Sequence, residues 1–206
     1  MGFVSVSTHS GSEDVLARLK LETRADHERL EAALDLTSDR LDRGAYLRCL
    51  ERLHGYFAPL EAGITAVGGW RERGVDLDAR RRSSMLEADL SALGQAPAVV
   101  PRCRELYLPT EPAGAFGALY VLEGSSLGGR VIARRLRDTL GIGPESGARF
   151  FHGYGDRTGE MWRSFRAALT AYARASGDHQ RIVVGAARTF AGLCRWFEIG
   201  ESRDGP

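Results

Sequence analysis

The chain of 206 residues carries 28 Lys+Arg against 27 Asp+Glu, a formal net charge of +1, with 43% apolar and 27% charged residues. That length suits one domain or at most two small ones, and the composition is that of an ordinary globular protein. So even a charge balance argues against a bulk binder of nucleic acid or anionic membrane, whose affinity depends on a large basic excess. No charge-free run approaches the roughly 18–20 residues that span a bilayer, and the first fourteen residues lack the basic start and apolar run of a secretory leader. Cys49, Cys103 and Cys194 are widely spaced and odd in number. They read as reduced thiols packed as small hydrophobes, and the expected location is cytoplasmic.

Residues 1–11 read as a loose tail, 12–200 as the folded domain and 201–206 as a polar C-terminal tail. Ser12 is the expected cap of a first helix in which Leu16, Leu19, Thr23, His27, Leu30 and Leu34 share one face. A second helix is predicted over 43–67, ended by Gly68-Gly69, and a third over 76–93. Gly94 and Pro97 break the chain before a short helix near 98–106. A long apolar helix follows over 112–140, then a Gly-rich loop around a short turn over 141–158. Two last helices run over about 159–176 and 178–199. No segment alternates with period two, so the expectation is a single all-α domain of roughly seven helices.

The first helix is the most informative. His27 lies on its predicted apolar stripe, Glu31 follows at i+4, and Lys20, the only lysine of the chain, precedes it by seven residues. A lone histidine on such a stripe is ordinarily a hydrogen-bonded core residue. Here Glu31 can hold one ring nitrogen and so orient the other as a metal ligand. Lys20 places a cation on the same side. A planar ligand with a central iron and peripheral carboxylates would fit.

The second constellation is GSSLGGR, residues 124–130, inside a helical stretch. Each interior glycine costs about 1 kcal/mol relative to alanine, so Gly124, Gly128 and Gly129 call for an explanation. One is close packing of a neighbouring helix. The other is a backbone that approaches a flat ligand and leaves room for a diatomic molecule. Just beyond, Arg130, Arg134 and Arg137 share helical spacing. Such a ridge is commonly a solvated face, and it is also suited to steering an acidic electron donor. Glu51 and His54 form a single Glu-x-x-His, the ligand spacing of di-iron bundles, which need two.

These residues resemble the heme oxygenases, particularly the bacterial type that supplies biliverdin to bacteriophytochromes. LKLETRADHERLE (19–31) is similar to the proximal helix of that family and LYVLEGSSLGGRVI (119–132) to its kinked, glycine-rich distal helix. The similarity extends into RFF (149–151), MWRSFR (161–166) and the last helix with Phe190 and Phe197. The resemblance implies an all-helical fold with heme, both substrate and cofactor, between those two helices. It implies cleavage to biliverdin, carbon monoxide and ferrous iron, using O2 and electrons from an external donor such as a ferredoxin. It makes His27 the iron ligand and Glu31 its partner, with Lys20 and Arg163 as propionate contacts. Thr23, Phe190 and Phe197 would complete the heme contacts, with Gly124, Ser125, Gly128 and Gly129 on the distal side. Ser125 is a departure: animal-type enzymes have Asp there, which leaves the proton source to Ser125, backbone groups and ordered water. A heme sensor or carrier on the same fold, and a di-iron bundle, are the other two classes. The partners implied are the electron donor and a bacteriophytochrome as bilin acceptor.

Overall fold

The computed structural model describes residues 14–201, with side chains described as far as Glu198. The expected cap at Ser12 and the tail residues 1–11 and 202–206 lie outside the described residues. Asp14 caps the first helix instead, accepting a hydrogen bond from the Leu16 amide at 3.1 Å. The α-helices are α1 (Val15–Glu22), α2 (Arg24–Leu34), α3 (Arg43–Val67), α4 (Ser83–Ala92), α5 (Pro112–Leu140), α6 (Arg149–His152), α7 (Thr158–Ser176) and α8 (His179–Glu201). Short 3-10 turns cover Asp78–Arg80, Pro97–Val99 and Gly155–Arg157, and no strand occurs among the described residues.

Three boundaries differ from the sequence reading. The first predicted helix is divided at Thr23, whose backbone leaves helical geometry (φ −104°, ψ 4°) and whose hydroxyl donates to the Leu19 carbonyl at 2.7 Å. A threonine hydroxyl that bonds to the carbonyl four residues back shares the acceptor of its own amide and tends to bend the helix. The predicted helix over 76–93 holds only from Ser83, because Arg80 and Arg82 turn inward to buried partners. Near 98–106 only the 3-10 turn at Pro97–Val99 forms, and Pro101 and the exposed Val99 give that segment no helical face to bury.

Helix α5 is the axis of the molecule. Pro112 stands at its first turn, where a missing amide is harmless. At its end Gly141 takes a left-handed conformation (φ 67°), and the Ile142 amide bonds back to the Leu136 carbonyl at 3.2 Å. The helix runs unbroken through Gly124, Gly128 and Gly129. The N-terminal half of α5 packs on α8 backbone to backbone. A Cβ at Gly185 would lie 2.5 Å from the Gly114 carbonyl oxygen, and one at Gly117 would collide with that of Ile182. Phe116 anchors the core beside Trp70 (5.2 Å) and Tyr172 (4.8 Å). Burying such a ring contributes about 1.5–3 kcal/mol. The three cysteines are buried and free, and burial raises the Cys49 thiol pKa to about 12. No helix among the described residues is long and apolar enough to cross a membrane.

Candidate functional site

Helix α5 presents two opposed faces where the glycines cluster. Gly124, Leu127, Gly128 and Val131 fall at i, i+3, i+4 and i+7, one stripe of a helix. Side chains added as Cβ atoms at Gly124 and Gly128 would meet nothing within 4 Å. Leu127 and Val131 are exposed, at 46% and 67%. The stripe is therefore apolar, open and partly stripped of side chains. Gly129 faces the other way. It is buried, and a Cβ there would collide with the Phe151 carbonyl oxygen of α6. The two explanations of the glycines both apply, to different residues: helix packing accounts for Gly129, and open space for Gly124 and Gly128. The Ser125 hydroxyl donates to the Leu122 carbonyl at 2.6 Å, so its proton is engaged within the helix.

The predicted burial of His27 is corrected. Its side chain is 54% exposed, because α2 rests on α8 along one edge and buries no residue fully. The ring meets Phe190 edge-on at 6.0 Å, and Nδ1 lies 3.6 Å from the Glu31 carboxylate. That leaves Nε2 open. Phe190 and Phe197 are buried in α8 beneath α2, and the Cys194 thiol contacts the Asp26 carbonyl at 3.7 Å.

The cations of the site come from α1 and α7, which touch. Lys20 and Arg163 are exposed, and neither makes a hydrogen bond or ion pair among the described residues. Arg163 lines a shallow groove of about 440 Å³ with Leu16, Arg166, Thr170 and Arg174. Leu16 is one turn before Lys20, so the lysine and the arginine border the same region. Sequence reasoning missed Arg166, whose charge acts on the half-buried Tyr120 phenol, one turn before Gly124 on the open stripe of α5. A larger cleft of about 500 Å³ lies behind α5, against Leu119 and Leu122. Of the arginine ridge, Arg130, Arg134 and Arg137 are all exposed beside Val131, while Arg135 is drawn away to Asp39 and the Ser38 carbonyl.

The di-iron alternative is not supported. Glu51 accepts a hydrogen bond from Gln95 at 2.7 Å, and His54 is buried with Glu87 at 3.3 Å and the Arg102 guanidinium at 3.0 Å from its ring. A fixed cation there opposes a metal ion, and no cluster of three potential ligands exists among the described residues. Burial lowers the His54 pKa below its ordinary 6.5, outweighing the bond to Glu87. Unfolding restores the ordinary value, so below about pH 6.5 the unfolded chain binds a proton that the folded chain resists. This stability is present above that pH and is lost as pH falls toward the folded value. Melting curves from about pH 8 to about pH 5 should fall more steeply for the wild type than for His54→Gln. Equal slopes would remove His54 from the acid response.

These features define the class as an all-helical protein whose central helix carries a solvent-open, glycine-bearing stripe and whose α2 carries a half-exposed histidine. Residues 13–199 match the Heme oxygenase family model, and the chain belongs to that family of enzymes. It is 34% identical over 163 residues to a heme oxygenase of Xanthomonas campestris pv. campestris, covering 76% of this chain and 90% of that protein. Its fold is similar to the NO- and CO-bound heme oxygenase from Neisseria meningitidis, with TM-score 0.73, 24% identity and coverage of 91% of this chain and 94% of that one. It is also similar to heme oxygenase-1 from the cyanobacterium Synechocystis in complex with heme, with TM-score 0.72, 16% identity and coverage of 92% and 93%.

Proposed function

We propose that this chain cleaves heme to biliverdin, carbon monoxide and ferrous iron, with heme held between α2 and α5 and ligated by His27. The observation that carries the reading is the open apolar stripe of α5, where Gly124 and Gly128 leave the space of two side chains vacant beside exposed Leu127 and Val131. The chain fits a flat ligand on further grounds. His27 offers Nε2 while Glu31 orients the ring through Nδ1. Lys20 and Arg163, which have no ion-pair partner among the described residues, are cations suited to propionates, with Arg166 beside Arg163. Bound heme supplies the iron that activates O2 and the macrocycle that is cut.

The rest of the task is positioning. Glu31, whose carboxylate lies 3.6 Å from Nδ1, would draw that ring nitrogen toward itself and turn Nε2 to the iron. Thr23 fixes the bend between α1 and α2, so Lys20 and His27 sit on differently directed helices. Gly124 and Gly128 set how near the α5 backbone lies to the ligand, and Leu127 and Val131 keep water from that face. Phe190 packs against the edge of His27 and Phe197 supports the same helix from α8. Gly129 holds the stripe against α6. Ser125 acts as an acceptor for ordered water, since its own proton is engaged by Leu122. The ridge of Arg130, Arg134 and Arg137 suits an acidic electron donor such as a ferredoxin. We place the enzyme in the cytoplasm on its three free cysteines, with a bacteriophytochrome as the acceptor of its bilin on the resemblance of segments 19–31 and 119–132.

Addition of hemin, then ascorbate or a ferredoxin system, tests the function by absorption spectroscopy. A histidine-ligated Soret band that decays to biliverdin supports it. A stable band identifies a carrier or sensor, and no band overturns heme binding. The clamp has its own test. A propionate bond at an exposed site is screened by solvent to about 1 kcal/mol, roughly fivefold in affinity. Lys20→Ala and Arg163→Ala should each weaken hemin binding by about that factor or alter the biliverdin isomer ratio. Unchanged affinity and isomers in both would remove them from the site.

A further inference from the structure

The glycine stretch of α5 is held from behind at both ends. At one end Gly129 abuts the Phe151 carbonyl. At the other, Glu123, the residue before Gly124, turns its carboxylate away from the open stripe into the protein and is 1% exposed. The Arg80 guanidinium donates to its Oε2 at 2.6 Å, and the Tyr154 hydroxyl donates to its Oε1 at 2.7 Å. Arg80 is itself tied to α7, donating to Ser164 Oγ at 2.6 Å and to the Met161 carbonyl at 3.2 Å. One carboxylate thus joins α5 to the Asp78–Arg80 turn, to the segment before Gly155–Arg157 and to α7.

Stability alone does not explain this choice. A buried ion pair is often no better than well-packed apolar residues of the same volume, since both charges are desolvated. Burial accordingly raises the Glu123 pKa against the opposing pull of Arg80. What directional bonds from two sides add is a single rotation and height of the helix. The clasp sits one residue before the first open glycine, where a small rotation of α5 would displace the whole stripe.

We infer that Glu123 is a positioning residue that, through Arg80 and Tyr154, sets the height and rotation of Gly124–Gly128 over the heme. This rests on the heme-cleavage reading of the stripe. Glu123 touches neither heme nor O2; its effect is carried by the backbone of α5.

Glu123→Gln, which keeps shape and removes charge, and Tyr154→Phe, which removes one bond and keeps the ion pair, test the inference. Melting of the apo proteins, hemin titration, the pH midpoint of the Soret shift in the ferric hemin complex, and single-turnover biliverdin yield are read together. A misplacement of about 1 Å from a change remote from the chemistry can cost about a hundredfold, and a loss of about tenfold or more is expected for Glu123→Gln. Its hemin affinity should be unchanged and its Soret midpoint displaced. Tyr154→Phe should move both in the same direction by less, and it carries the test if Glu123→Gln fails to fold. Lower melting with wild-type turnover and midpoint in the folded fraction of the variants overturns the inference and leaves Glu123 a structural tie. Absence of a histidine-ligated band in the wild type overturns the underlying reading instead, and with it the inference.

Discussion

His27→Ala should lose the histidine-ligated Soret spectrum and more than about a hundredfold of reductant-dependent biliverdin formation, beyond the roughly 10–100-fold that loss of an outer partner costs. His27 is half-exposed at the rim of α2 with Nε2 open, whereas His54 is enclosed beside Arg102. Lys20, Arg163 and the apolar stripe remain in the variant, so hemin should still associate, and added imidazole should restore the ligated spectrum. Glu31→Gln keeps the ligand and loses the charge at Nδ1, so its loss should be the smaller of the two. Hemin titrations with and without imidazole, beside single-turnover assays, measure both. A Soret band that survives His27→Ala and disappears in His54→Ala would sink the assignment.

Gly128→Leu and Gly129→Leu, neighbours in sequence, should fail in opposite ways. A side chain at Gly128 projects into open space. Removing a helical glycine there should raise apo stability by up to about 1 kcal/mol. The same leucine would push α5 away from the iron while His27 and the cations remain, so hemin association should persist while biliverdin is lost. A side chain at Gly129 strikes the Phe151 carbonyl, backbone that cannot swing aside. Overpacking of that kind costs about 1–3 kcal/mol or more. Gly129→Leu should therefore melt several degrees lower as the apo protein, and surviving folded molecules should retain more turnover than Gly128→Leu. Thermal melts of the apo variants and single-turnover yields separate the cases. Severe destabilisation of apo Gly128→Leu with normal turnover would return that glycine to a packing role.

The helical architecture was legible in the sequence because it is written in local terms. Apolar residues at 3.6 spacing, Pro112 at the start of α5, and Gly68, Gly141 and Gly177 after helices each act within a turn of their own position. The pairing of His27 with Glu31, and the oddity of Gly124, Gly128 and Gly129, were legible for the same reason. Residues within one helix have a fixed geometry relative to each other. The bend at Thr23 was not, since a threonine on an apolar stripe reads as a continuing helix until its hydroxyl is seen bonding to Leu19.

What the sequence determined by itself is therefore an all-helical chain with a candidate ligand, a candidate clamp and a glycine-bearing helix. Only the tertiary structure decided which way each points. Gly128 and Gly129 are chemically identical and adjacent, yet a turn of 100° per residue puts one in open space and the other against α6. Glu123 carries no local signal in the sequence, and its burial depends on Arg80, 43 positions earlier, and Tyr154, 31 positions later. Burial of a charged group is settled by partners that arrive from distant parts of the chain, and no local pattern encodes them.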